Sequence, residues 1–238
     1  MDSALQYPQN APDYRCAIAI SLVLIGFDGK NLQVLLARAK RPPVEGELML
    51  PSRYVTSDND VMEAALRMFQ QMFGDHGPEV LEQLQAFAGV SRHPGGRVIN
   101  VAHYALVRKD LFNLHKFTQH DLKWYPLRDV PGLSFDHDAI VAYAKERLKR
   151  RIKRRPVGFN LLPEPFTLNQ IQRLYEEALG KQFDRRNFRK KLAKTNVLVE
   201  TDLEADGTIF GQRKGARLYC FNRDQYEVMM KKGYDFLF

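Results

Sequence analysis

The sequence is short of cysteine, of tryptophan and of long apolar runs. Its two cysteines, Cys16 and Cys220, are far apart in 238 residues, which argues against a disulfide-stapled secreted scaffold. Both sit in apolar, strand-like surroundings and read as buried free thiols. No stretch approaches the roughly 18 consecutive apolar residues of a membrane span. The first residues, "MDSALQYPQNAPDYR", have neither the basic start nor the apolar segment of a secretory signal. A cytoplasmic protein without a membrane partner is therefore expected. With 45% hydrophobic and 27% charged residues, the chain can build an ordinary core without disulfides or metals.

A second shortage is local. "LMLPSRYVTSDNDVMEAALRMFQQMFG", Leu48 to Gly74, runs from a short strand through a Pro-containing turn and a polar cluster into an amphipathic helix. Loop-helix units of this kind commonly grip charged groups. Yet after Glu63 this helix has one arginine and no acid until past its end.

What the sequence does have is basic charge, unevenly placed. Residues 1–148 hold 16 Lys+Arg and 17 Asp+Glu, whereas residues 149–238 hold 20 and 11, so the last ninety residues carry a net +9. A neutral part joined to a basic one suggests two domains, the second facing a polyanion.

Periodicity supports that division. "CAIAISLVLIGFDGKNLQVLLARA" reads as two strands around a turn, and Asp60 to Phe73 as a helix with Val61, Ala64, Ala65, Met68, Phe69 and Met72 on one side. "LEQLQAFAGV", "RVINVAHYALV" and "DLKWYPL" read as strands. "SFDHDAIVAYAKERLKRRIKRR" reads as a long helix with Ser134 or Asp136 at its N-cap and basic residues toward its C-terminus. "RRPVGFNLLPEPF", with three prolines and a glycine, has a linker composition. Beyond it come helix, turn, helix, strand, turn and strand, the order of a winged helix-turn-helix. The domains are accordingly placed at 1–153 and 154–238.

In the basic domain, Thr167 caps a first helix and Asp184 a second. Phe188 and Leu192 face the core, leaving Arg185, Arg186, Asn187, Arg189, Lys190 and Lys191 for the outside. The second helix of such a motif lies in the major groove, where Arg reads guanine and Asn adenine. Lys190 and Lys191 fit phosphates, which position without reading sequence. "GQRKGAR" fits a wing that brings Arg213, Lys214 and Arg217 to the DNA. Solvated charge on a small helical domain would explain any one of these features; together they point to double-stranded DNA.

The opening loop-helix, "FAGVSRHPGGRVINVAHYALV", "LSFDHDAIVAYAKERL" and the Phe166–Thr195 segment together resemble the Nudix-related transcriptional regulators, the NrtR family, in family order from about Tyr14 to Phe221. The resemblance implies an α+β chain: an N-terminal Nudix-fold α/β/α sandwich that binds an effector, then a C-terminal winged helix-turn-helix, acting as a homodimer on operator DNA. Within that family it looks closest to the sugar-responsive, arabinose-sensing branch of Bacteroidetes.

The Nudix signature is G-x5-E-x7-R-E-U-x-E-E-x-G-U, with U a bulky apolar residue. Laid on this sequence, its glycine falls on Arg53 and its first glutamate on Asn59. Arg67 keeps the arginine, Met68 replaces the next glutamate, and Gln71 and Met72 replace the metal-holding pair; Gly74 keeps the glycine and Asp75 takes the final apolar place. Diphosphate hydrolysis needs hard cations such as Mg²⁺, held by carboxylates. Neither Gln71 nor Met72 suits Mg²⁺. No catalytic residue, metal or cofactor is expected, and an active hydrolase with a DNA-binding tail is the less favoured reading.

A silent Nudix pocket can still bind. Arg53, His93, Arg97 and His103 are the effector-binding candidates, with Arg92, Asn100, Tyr54, Asp121, Lys123, Trp124 and the Arg38–Pro43 segment nearby in the pattern. Strand alternation puts Arg97, Ile99, Val101 and His103 on one face and Val98, Asn100, Ala102 and Tyr104 on the other, and only one face can line a pocket. A histidine like His103 in an apolar strand is more often a core residue than a ligand. Without metal ligands a neutral sugar, L-arabinose, is favoured as the effector, with ADP-ribose as the alternative. The function expected is a ligand-responsive repressor.

Overall fold

The computed structural model describes residues 15–74, 77–111, 121–208 and 212–232. Tyr14, Asp75 and Gly211 lie outside the described residues. The first half is built on one mixed sheet. Strand β1 (Ala17–Phe27) pairs in parallel with β6 (Val98–Val107), from Ala17 opposite Val98 to Gly26 opposite Val107. β2 (Leu32–Arg38), β3 (Leu48–Met49), β4 (Ser52–Tyr54), β5 (Val80–Phe87) and β7 (Leu122–Pro126) join it antiparallel.

The strands are apolar on both faces because both are covered. Ile20, Leu22 and Leu24 of β1 pack with Ala64, Ala65, Met68, Phe69 and Met72 of helix α1 (Val61–Phe73). Val23, Ile25 and Phe27 point the other way, toward Ile140, Val141, Ala144 and Leu148 of helix α2 (His137–Arg154). The layers are therefore α/β/α. Asp60 starts α1 by accepting from the Glu63 amide at 2.7 Å, and Gly74 ends it with φ 78°, a conformation open to glycine at little cost.

The second half is a winged helix. Thr167 and Gln170 form a capping box at the start of α3 (Leu168–Leu179), which ends at the left-handed Gly180. Asp184 caps α4 (Arg185–Ala193), accepting from the Asn187 amide at 2.8 Å. β8 (Leu198–Glu204) and β9 (Arg217–Phe221) make the hairpin, extended by paired backbone bonds between Phe166 and Tyr219. Helix α5 (Arg223–Lys231) follows.

Two expectations are corrected. The Pro/Gly segment after α2 is not an open linker: residues 156–161 form a 3₁₀ helix whose Phe159 and Leu161 are buried. The prolines fix a packed turn, and one core runs from the sheet through α2 and this turn to Ile171, Leu174, Tyr175, Phe188 and Leu192. A division at 153/154 therefore falls in the last turn of α2, inside a shared core. Cys16 and Cys220 are free, but Cys16 is exposed, because it precedes the first residue of β1.

Candidate functional site

A cavity of about 380 Å³ opens at the start of β1 and β6, on the α2 face of the sheet. Its floor is polar. Asn100 and Ser21 are almost fully buried in an otherwise apolar sheet. The Asn100 amide donates to Ser21 Oγ at 2.8 Å, Ser21 and Ser52 share a 2.7 Å bond, and Ser52 Oγ donates to the Leu50 carbonyl at 2.9 Å. Its rim is cationic: Lys40, Arg41, Arg53 and Arg92 line it with His93 and His137, and no Asp or Glu is among the lining residues. Tyr54 and Phe135 supply aromatic faces.

The N-terminus of α2 closes one wall. Arg92 donates to both carboxylate oxygens of Asp136, from Nε at 2.9 Å and Nη2 at 2.6 Å. The His93 ring stacks on Phe135 with centroids 4.9 Å apart. His137 Nδ1 accepts from the Leu50 amide at 3.0 Å, so its proton sits on Nε2. Burial holds its pKa down at about 4, partly opposed by Asp136 and helped by Arg92, so the ring is neutral at physiological pH.

A second cavity, about 330 Å³, adjoins the first and shares Ala39, Lys40, Met49, Ser52 and Arg53 with it. Its remaining wall includes Met68, Gln71 and Met72, three positions of the degenerate box. Arg53 Nη1 donates to Gln71 Oε1 at 3.0 Å. Met68 and Met72 are buried against the sheet, and Arg67 is turned to Glu63 at 2.6 Å. Asn59 donates to Thr56 Oγ1 at 3.0 Å. Where a hydrolase gathers carboxylates, this chain has an amide held by an arginine and two packed thioethers. That donor set does not fit Mg²⁺. Among the described residues no cluster of His, Cys, Asp and Glu could hold a metal ion.

Of the four effector candidates, Arg53 and His93 line the cavity and Arg97 and His103 do not. Arg97 is exposed and donates to the Ala88 carbonyl at 2.7 Å, tying down its own loop. His103 is fully buried on the α1 face, bonded to the Val101 carbonyl at 3.0 Å, and burial lowers its pKa. The pocket-facing side of β6 is the one carrying Val98 and Asn100. Trp124 stands under the Lys109 ammonium, 5.0 Å from its ring centre, and packs against the α1-side core. Sequence reasoning missed Ser21, Ser52, Phe135 and His137. Ser21 alone had a signal, as the one polar residue inside "AIAISLVLIGF".

In the second half, α4 presents Arg185, Arg186, Asn187, Arg189, Lys190 and Lys191 to solvent, with Phe188 and Leu192 inward. Arg213, Lys214 and Arg217 are exposed on the hairpin, and Arg217 pairs with Glu200 at 2.7 Å. The turn before α4 is held by Glu176. Its Oε1 accepts from the Phe183 amide and from Gln172, each at 3.0 Å, and Gln172 also donates to the Phe183 carbonyl at 3.0 Å.

An α/β/α domain with a degenerate loop-helix site, continuous with a basic winged helix, defines a Nudix-fold protein fused to a DNA-binding module. Comparison with known proteins narrows the class. Residues 158–221 match the NrtR DNA-binding winged helix domain. The chain is 27% identical over 214 residues, 88% of its length and 84% of the relative's, to the ADPR responsive transcriptional repressor NtrR of Acinetobacter baylyi. The crystal structure of Shewanella oneidensis NrtR superposes with a TM-score of 0.75 at 28% identity, over 93% of this chain and 98% of that one. The same protein complexed with a 27mer DNA gives 0.75 and 28%, over 92% and 97%. Its NUDIX domain complexed with ADP ribose gives 0.51 and 26%, over 62% of this chain and 99% of that one. The chain is thus similar, over most of its length, to NrtR-type Nudix-related transcriptional regulators. None of these relatives points to a sugar-responsive branch.

Proposed function

We propose that this chain is an ADP-ribose-responsive transcriptional repressor that binds double-stranded operator DNA as a homodimer and senses its effector without hydrolysing it. The observation that carries the reading is the cavity rim, where Lys40, Arg41, Arg53 and Arg92 converge with no carboxylate among the lining residues. A neutral sugar would bring no anionic group to this basic rim. A diphosphate offers several acceptors to guanidinium and ammonium donors, and these donors can neutralise it in place of a metal. Tyr54, Phe135 and the Ser21–Asn100 floor suit the stacking and hydroxyl contacts of a nucleoside. The sugar preference of the sequence reading rested on the missing metal ligands and overlooked this rim.

The relatives support the same direction. The Acinetobacter repressor is ADPR-responsive, and the Shewanella protein has been captured both with DNA and, in its NUDIX domain, with ADP ribose. The effector-binding unit is taken to run to about residue 153 and the DNA-binding unit from 154 to 238, working in the cytoplasm. Arg185, Arg186 and Asn187 at the start of α4 read bases, Arg189, Lys190 and Lys191 engage phosphates, and Arg213, Lys214 and Arg217 form the wing contact.

The test is thermal denaturation in EDTA with ADP-ribose or L-arabinose. A ligand of the folded state at a hundred times its Kd stabilises by about 2.7 kcal/mol. ADP-ribose raises the Tm and releases the protein from DNA selected out of a random pool. A shift with L-arabinose and none with ADP-ribose overturns the reading.

A further inference from the structure

The N-terminus of α2 holds two features that do not belong together in a relaxed helix start. Asp136 occupies the N-cap position, where a carboxylate normally accepts from the first-turn amides, yet its side chain makes no capping bond. Both of its oxygens are committed to Arg92 instead. The preceding residue, Phe135, sits at φ 60°, a region that bulky side chains rarely enter. Its ring carries the stacked His93. Arg92, Phe135 and His93 all line the same cavity, and the Arg92 side chain is only 5% exposed.

We infer that the Arg92–Asp136 pair is the switch through which an anionic ligand acts on DNA binding. An anionic group entering the cavity is a second acceptor for the Arg92 fork. As it takes the guanidinium, Asp136 is released to cap α2 through the Asp138 amide, and the turn at Phe135 is free to relax. Asp136 thus has two exclusive partners, Arg92 or its own helix. That is the discrete two-state element that coupling between sites requires. Helix α2 then carries the change. It is one unbroken run from His137 to Arg154, and its core residues Leu148 and Ile152 share a cluster with Phe159, Leu174 and Tyr175 of the winged helix. The inference uses ADP-ribose as the anion and so rests on the proposed function for the ligand, though not for the switch.

The experiment compares wild type, Asp136→Ser and Arg92→Gln in the full-length chain. It measures DNA affinity without ligand, ADP-ribose affinity, and the factor by which ADP-ribose weakens DNA binding. Serine can cap α2 but cannot pair with Arg92. Asp136→Ser should bind ADP-ribose several-fold more tightly, because Arg92 starts free. Its ligand-free DNA affinity should fall toward that of liganded wild type, and the ADP-ribose factor should shrink toward one. Arg92→Gln should show the same loss of ligand-free DNA affinity but bind ADP-ribose at least tenfold more weakly. Misfolding cannot mimic this pattern, since it cannot raise ligand affinity in one variant. Ligand-free DNA affinity unchanged in both variants overturns the switch. Wild type indifferent to ADP-ribose overturns the effector assignment instead, and ligand-free DNA affinity still decides the switch.

Discussion

Arg53 Nη1 donates to Gln71 Oε1 across 3.0 Å, so the loop and the helix of the former metal site are joined by a bond between two side chains. The first stands where the Nudix signature has its glycine and the second where it has a glutamate. ADP-ribose should accordingly survive prolonged incubation with this protein and Mg²⁺, as read by chromatography. AMP that accumulates with wild type and not with Gln71→Ala would contradict this.

The proposed function divides α4 into residues that read bases and residues that hold phosphates. Arg186→Ala should lose about 1–3 kcal/mol of discrimination between preferred and mismatched DNA. Lys190→Ala should weaken all sequences alike and lower the salt slope by about one. Fluorescence anisotropy on matched and mismatched duplexes across a salt series separates the two, and identical behaviour of both variants refutes the division.

Glu176 is buried and supports the turn that aims α4. Glu176→Ala leaves the Phe183 amide and one Gln172 donor without their partner, at a cost of about 1–3 kcal/mol. DNA affinity should fall while ADP-ribose affinity, measured by calorimetry, stays within about twofold of wild type, because Glu176 is remote from the cavity and acts within the winged helix. Equal loss of both would show that the turn is not an independent support.

His137 makes stability depend on pH in a defined direction. Its folded pKa, about 4, lies below the ordinary value of 6.5. The unfolded chain therefore binds the proton more readily, and stability falls as pH drops from about 6.5 toward 4. The loss from this group approaches roughly 3 kcal/mol at the acid end. Urea titrations at pH 7 and pH 4.5 should show a smaller acid loss for His137→Gln than for wild type. Equal losses would remove His137 from the acid response.

Much of this was legible in the sequence, and the failures have physical causes. The apolar run of β1, the helical period of α1 and the caps at Thr167 and Asp184 read directly, because each is a local pattern. The winged helix was legible because its inward residues, Phe188 and Leu192, leave the basic ones no other face. Arg97 and His103 were misplaced because alternation fixes two faces of β6 without saying which meets the cavity. That choice is made by α2 packing on the Ala102–Tyr104 side, a long-range fact. Phe135 and His137 were invisible because their role comes from a contact between α2 and the loop at Arg92, far away in sequence. The 3₁₀ turn at Pro156–Leu161 was misread because proline and glycine mark any abrupt turn, packed or open.

That turn has an evolutionary and practical consequence. Phe159 and Leu161 are filling for a core that belongs to both halves, so a cut at this turn would bare apolar surface on each side. A recombination joining this effector unit to a different DNA-binding fold would have to reinvent the filling along with the seam. New specificities are more readily reached by exchanging side chains around the cavity and along α4 than by trading whole parts.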